Sequence, residues 1–293
     1  MSIILSTGNV SHARKSGTQD LVSDLKQRIL LWCDEEQHTG SASSLAGDVK
    51  LEIPPNPREP LLCVDESPDR KAQVEITVKL FFPPSSTVSA RAKILARALS
   101  QFKAAAPEQV RISQLVLSFP EITFSDDDDD DGGGEDLDEG SSTLGSSISE
   151  QDLLDIWTVA VQTAEWYNVQ SVGVSEFSTA RLEALIKFSK RKGLALPSTN
   201  QINIRDCCVL PPSLTTLAKE NGVKLLAHND ALNILPEESV RDIVALLTAD
   251  ELTVAEDKWS WEWLLKITGV LANRGIVCGL GWMVEFVNIG DDI

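Results

Sequence analysis

Two polar groups follow consecutive predicted strands and hold the residue types with which this chain could do chemistry. Cys207 and Cys208 come after one strand, and His228, Asn229 and Asp230 close the next. Thiolate, imidazole and carboxylate groups bind metals, but adjacent cysteines rarely share one ion well and the chain has no Cys-x-x-Cys spacing. A contact with a protein partner is a better interpretation of both groups. The alternatives are a hydrogen-bonded turn at the second group and, for the two cysteines, one core thiol beside one surface thiol, with a disulfide to the partner less favoured in a reducing cytosol.

The positions of Lys79 and of tyrosine bear on acid–base chemistry, in which both side-chain types can take part. Lys79 lies near the end of a predicted strand. The chain has a single tyrosine, Tyr167, and it lies at the end of a predicted helix. Tyr167 therefore cannot stand at a strand end in an active site. A strand-end lysine held near an acidic side chain is the favoured interpretation of Lys79.

The segments around these residues alternate between the apolar pattern of strands and that of amphipathic helices. From Ser171 to Asp230, short apolar runs alternate with amphipathic segments in the order strand, helix, strand, helix, strand. This pattern predicts βαβ units and a parallel sheet.

The flanking segments give a less regular pattern. Helices are predicted at 20–36, 88–103, 149–166, 237–247 and 259–272, and strands at 3–5, 74–82, 110–119 and 275–278. Residues 38–71 are rich in glycine, serine and proline and are predicted to form a loop. The seven predicted strands fall one short of eight, and this loop is where a degenerate strand would lie.

Charge excludes some classes of partner. The net charge is −18, and residues 126–140 contribute ten acidic and no basic residues, so the rest of the chain has a net charge of −8. An acidic balance disfavours nucleic acid and anionic membranes as partners. The low-complexity stretch 125–147 cannot form a core and is predicted to be a disordered insert.

Five cysteines with no secretory signal predict reduced thiols in the cytosol, and no apolar run is long enough to span a membrane.

The strand sequences resemble those of aldo-keto reductases. Gly173-Val-Ser-x-Phe177 and Asn200-Gln-Ile resemble the cofactor-facing strands of that family, and Val78-Lys-Leu-Phe81 resembles its lysine strand. The resemblance implies one (β/α)8 barrel over residues 1–293, of the TIM-barrel type, with a degenerate or missing second strand.

The same resemblance makes Lys79, Ser175 and Gln201 remnants of a reductase site. Glu176 stands where the family has an asparagine, and a carboxylate cannot donate a hydrogen bond to the nicotinamide carboxamide. The family's tyrosine has no counterpart, and Ser118 stands in the place of its histidine.

Binding of NADPH is also disfavoured at the C-terminus. No lysine or arginine follows Arg274, whereas Glu285, Asp291 and Asp292 do. The adenosine 2′-phosphate of NADPH, which aldo-keto reductases bind with Lys and Arg after the last strand, would be repelled by these carboxylates. A divergent NADPH-dependent oxidoreductase that uses Lys79 is the alternative function.

A more specific resemblance covers most of the chain. The run Asn200-Gln-Ile-Asn-Ile-Arg-Asp-Cys-Cys-Val-Leu-Pro-Pro-Ser-Leu and the ending Leu225-Leu-Ala-His-Asn-Asp230 resemble the regulatory subunits of glutamate–cysteine ligase. This implies a non-catalytic cytoplasmic protein with no cofactor and no metal. It would form a heterodimer with the catalytic ligase subunit, raise that subunit's affinity for glutamate and relieve its inhibition by glutathione. We expect Cys207, Cys208, His228, Asn229 and Asp230 to lie at the interface.

Overall fold

The computed structural model divides the chain into two compact units. It describes residues 2–10, 21–39, 50–55, 74–84, 86–108, 110–124, 148–203, 210–247, 258–271 and 276–289. Unit 1 comprises Met1–Phe81, Ala96–Ser113 and Asn233–Ile293, and unit 2 comprises Phe82–Leu95 and Gln114–Leu232. The predicted insert 125–147 lies outside the described residues.

The described elements alternate along much of the chain, which confirms the predicted α/β class. The strands are β1 (Ser2–Ser6), β2 (Lys50–Ile53), β3 (Val74–Phe81), β4 (Gln114–Ser118), β5 (Val172–Ser175), β6 (Thr199–Asn203), β7 (Lys224–His228), β8 (Trp259–Leu271) and β9 (Ile276–Asn288). The helices are α1 (Leu21–Thr39), α2 (Val88–Ala105), α3 (Glu150–Trp166), α4 (Thr179–Lys192), α5 (Pro212–Asn221) and α6 (Glu237–Ala245).

Unit 2 has the predicted parallel arrangement. Its strands lie in the order β4, β5, β6, β7, and each neighbouring pair is parallel. Helices α3, α4 and α5 are the crossovers that parallel strands require. The hydroxyl of Ser149 accepts a hydrogen bond from the Asp152 N–H at 3.1 Å and so caps α3. Gly193 ends α4 in the left-handed conformation, with φ of 65°.

One glycine fixes how closely β5 approaches β6. A Cβ atom on Gly173 would lie 2.8 Å from the carbonyl oxygen of Thr199 and 3.1 Å from its Cβ. The carbonyl belongs to the backbone of the neighbouring strand, so it cannot move without disturbing the sheet.

Gly173→Ala is therefore expected to lower the free energy of unfolding by about 1–3 kcal/mol, the usual cost of overpacking a core. Urea denaturation of the full chain measures it. Gly193→Ala is the comparison, because its Cβ would meet nothing within 4 Å and only the positive φ would be strained. Equal stabilities of Gly173→Ala and the original protein would contradict the crowding.

Unit 1 has a mixed sheet in the order β2, β1, β9, β8, β3. β1 pairs with β2 in parallel, whereas β9 is antiparallel to β1 and to β8, and β8 is antiparallel to β3. β2 lies within the loop where a degenerate strand was expected. The predicted strand at 275–278 is the start of the longer β9.

The helix predicted at 259–272 is wrong, because this segment is strand β8. Trp259 and Trp263 are four residues apart, a spacing that also fits one face of a helix, but Trp259, Trp261 and Trp263 also alternate with polar residues. Pairing along the whole length of β9 decided between the two periods. A bulge between Trp261 and Trp263 shifts the register, so the alternation of faces changes there.

The core of unit 1 lies between this sheet and two helices. Leu25 and Ile29 of α1 and Val240 and Ile243 of α6 are buried in one cluster with strand residues. Cys33 packs against this cluster, and burial raises the pKa of its thiol. Among the described helices, none is both long and apolar enough to cross a bilayer.

Candidate functional site

A half-buried histidine joins two carboxylates at the carboxyl ends of β5 and β7. His228 Nε2 contacts Glu176 Oε1, and His228 Nδ1 lies 3.2 Å from Asp230 Oδ2. Nδ1 also lies 3.2 Å from the Asp230 N–H, which can donate to it. The neutral ring can donate from Nε2 to Glu176 while Nδ1 accepts from that N–H, and the protonated ring can donate to both carboxylates.

Glu176 is the residue that connects this cluster to the other strands. Its second carboxylate oxygen accepts a hydrogen bond from the Phe124 N–H at 3.2 Å, and its own N–H donates to the Gln201 carbonyl at 2.8 Å. Its φ is 65°, a conformation that costs a residue with a side chain about 1–3 kcal/mol. One carboxylate thus binds the segment after β4 to the end of β7.

Asp230 is held by a second interaction. The Asn203 side-chain amide donates to the Asp230 carbonyl at 3.0 Å, and Asn203 is the last residue of β6. Glu176 is 7% exposed and Asp230 is 5% exposed. The carboxylates therefore face protein groups, and the cluster is a network that fixes the carboxyl ends of β5, β6 and β7.

The structure places three of the five predicted interface residues at this edge. His228 and Asn229 are half-buried and Asp230 is buried. Cys207 and Cys208 lie outside the described residues. A role of all five in binding a partner stays a prediction.

Sequence reasoning missed the bonded role of Glu176 and the contribution of Asn203. Glu176 was singled out only as the replacement of an asparagine. Neither its positive φ nor its contact with His228, 52 residues away, is indicated by the neighbouring residues in the sequence.

The remnants of a reductase site have ordinary surroundings in the structure. Ser175 is buried with its hydroxyl 3.4 Å from the Leu117 carbonyl, and Gln201 is half-buried beside it in the sheet register. Lys79 is buried in β3 of unit 1, with Nζ 5.2 Å from the centroid of the Phe81 ring. Tyr167 is the C-cap residue of α3, as the sequence predicted.

Glu285 has a different role from the one that the sequence suggested. It is fully buried in unit 1, where Trp263 Nε1–H donates to it at 2.7 Å and Arg97 forms an ion pair with it. Its charge is therefore neutralised internally and cannot repel a phosphate at the surface. Asp291 and Asp292 lie outside the described residues.

The residues that the structure describes contain no group of three or more His, Cys, Asp or Glu side chains arranged to hold a metal ion. In the Glu176–His228–Asp230 cluster, both ring nitrogens face groups of the protein.

Comparison with known proteins bears on the function. No protein-family model matches the chain. The glutamate–cysteine ligase regulatory subunit of Homo sapiens is 25% identical over 219 residues, which cover 75% of this chain and 68% of the relative. The subunit of Bos taurus is 24% identical over the same length. The predicted resemblance to glutamate–cysteine ligase regulatory subunits is confirmed.

A fungal relative extends this resemblance over nearly the whole chain. A protein of Schizosaccharomyces pombe, provisionally named a glutamate–cysteine ligase regulatory subunit, is 25% identical over 297 residues, covering 97% of this chain and 96% of the relative. The regulatory-subunit resemblance therefore includes the segments on both sides of the acidic insert.

Two of the solved structures similar to the chain are named as an aldose reductase and an aldo/keto reductase. Aldose reductase from Giardia lamblia has a TM-score of 0.33 and 19% identity, covering 52% of this chain and 44% of that protein. An aldo/keto reductase from Brucella melitensis has a TM-score of 0.28 and 18% identity, covering 50% and 47%.

Proposed function

We propose that this protein is a non-catalytic regulatory subunit that binds the catalytic subunit of glutamate–cysteine ligase in the cytoplasm. In the heterodimer it raises the affinity of that subunit for glutamate and weakens inhibition by glutathione. The observation that carries the proposal is the similarity to proteins named for this role over 75% of the chain.

The described site supports a role without chemistry of its own. By the resemblance to reductase strands, Glu176 replaces the asparagine that would bind the nicotinamide carboxamide, and its carboxylate is already bonded to His228 and to the Phe124 N–H. A bonded carboxylate accepts hydrogen bonds and cannot donate one to a ligand carbonyl. Regulation instead requires only that this protein bind one conformation of the catalytic subunit better than another.

Ligase kinetics test the proposal. The rate of the cognate catalytic subunit is measured against glutamate concentration, with and without this protein, and each series is repeated with glutathione present. We expect a lower KM for glutamate and weaker inhibition by glutathione when this protein is added. Unchanged curves, together with separate elution of the two proteins on a sizing column, would overturn the proposal.

A divergent NADPH-dependent oxidoreductase is the alternative function, and buried Lys79 is the observation that favours it. We expect no saturable change in NADPH fluorescence when this protein is added, up to millimolar cofactor. The matched variant is Glu176→Asn, which restores the amide that the reductase resemblance requires and removes the carboxylate. Saturable binding of NADPH by the unaltered protein would support the oxidoreductase function instead.

A further inference from the structure

Three helices of unit 2 end at the same edge of its sheet. The strands β4 to β7 are parallel, and α3, α4 and α5 each run back to the edge where the next strand begins. α3 packs beside α4, and α4 packs beside α5. Packed helices have axes about 8–10 Å apart, so the last turns of these three helices share one surface. We call it the helix-end surface, defined by Trp166, Lys190, Arg191, Lys192 and Lys219.

Trp166 is the apolar residue of this surface. It is the last residue of α3 and its side chain is 85% exposed, whereas Trp157 on the same helix is 1% exposed. Large aromatic residues are usually buried in a monomer, and exposed tryptophan is enriched at the energetic centres of protein interfaces. Packing within unit 2 therefore does not account for Trp166.

The same surface is basic in a strongly acidic chain. The last turns of α3, α4 and α5 hold four basic residues, Lys190, Arg191, Lys192 and Lys219, and two acidic ones, Glu165 and Glu220, although the net charge of the chain is −18. Lys190 Nζ donates to Asn221 Oδ1 at 2.7 Å, which joins the ends of α4 and α5. Most of the remaining surface would repel an acidic partner, so this edge is where one would be attracted.

Two of these cations are held in place without a carboxylate. The Arg191 guanidinium lies 5.7 Å and the Lys192 ammonium 5.9 Å from the centroid of the Phe188 ring. Within the ranges that the structure describes, neither forms an ion pair with Asp or Glu. One cation in the last turn would be enough to offset the helix dipole, whereas α4 has three in succession.

We propose that the helix-end surface docks an acidic segment of the ligase catalytic subunit, with Trp166 as the apolar anchor and Arg191 and Lys192 as the charged contacts. This inference rests on the proposed function and assigns the heterodimer contact to the amino-terminal edge of the strands. The predicted interface residues at His228 to Asp230 lie at the opposite, carboxyl ends of the strands.

The affinity of the catalytic subunit for variants of the full chain tests this assignment. Trp166→Ala is expected to raise the Kd at least about tenfold, as loss of an interface anchor does. Arg191→Glu is expected to raise it about fivefold at low salt and less at high salt, because rim charges are screened. Lys93→Glu is the matched control, since Lys93 is exposed on α2 in the same unit and the charge change is equal. Its Kd should not change.

The outcomes separate the two proposals. If the original protein binds and all three variants bind equally well, the helix-end surface is not the docking site, while the proposed function stands. If the original protein does not bind the catalytic subunit, the proposed function is overturned and this inference falls with it. Circular dichroism before each titration confirms that a variant is folded, and a folded Trp166→Ala variant with unchanged Kd is sufficient to overturn the assignment.

Discussion

Trp263→Ala is expected to lower the free energy of unfolding by about 3–5 kcal/mol. The indole is fully buried in β8, so truncation leaves a cavity in unit 1. The change also removes the Nε1–H that donates to Glu285 at 2.7 Å, and Glu285 is itself 0% exposed. Leaving a buried carboxylate without a donor costs more free energy of unfolding than the lost hydrogen bond alone. Urea denaturation followed by circular dichroism measures the loss.

Two variants separate the cavity from the hydrogen bond. Trp263→Phe removes the donor but keeps most of the ring volume, so we expect it to cost about 1–3 kcal/mol. Trp166→Ala removes an exposed indole and should change stability by no more than about 0.5 kcal/mol. A Trp263→Phe variant as stable as the original protein would mean that Arg97 alone satisfies Glu285.

His228→Ala is expected to destabilise unit 2 by about 2–4 kcal/mol. Glu176 and Asp230 are both buried, and the imidazole is the group that both carboxylates contact. Removing the imidazole takes one hydrogen-bonding partner from each of two buried carboxylates, and each such loss costs about 1–3 kcal/mol. The free energy of unfolding in urea at neutral pH is the measurement.

A double-mutant cycle isolates the contact with Glu176. Glu176→Gln, His228→Ala and the double variant are compared with the original protein, and a coupling energy of about 1–3 kcal/mol is expected for two residues in one network. Glu183→Gln is the matched single control, because Glu183 is exposed and its pair with Lys187 contributes little. A coupling energy near zero would show that the network does not stabilise the carboxyl ends of the strands.

The sequence determined most elements because their signals are local. Helix α3 lies within one residue of the predicted range 149–166, and its start is capped by Ser149. Apolar periodicity and glycine at helix ends are patterns of residues within one or two helical turns. The βα alternation of unit 2 could therefore be predicted from the sequence. The helix predicted at 259–272 is wrong because tryptophans at every second residue fit both the period of a strand and, at a spacing of four, one face of a helix.

Pairings between distant residues were decided only by the tertiary structure. Nothing in the sequence around Glu285 indicates that Trp263 and Arg97 contact it, so the sequence alone predicts a surface charge there. The sequence also placed His228 and Asp230 at a strand end but could not supply Glu176 as their partner. Such contacts depend on strand order and register, which are fixed by the packing of whole elements, whereas the residue types that meet there carry no local signal of their partners.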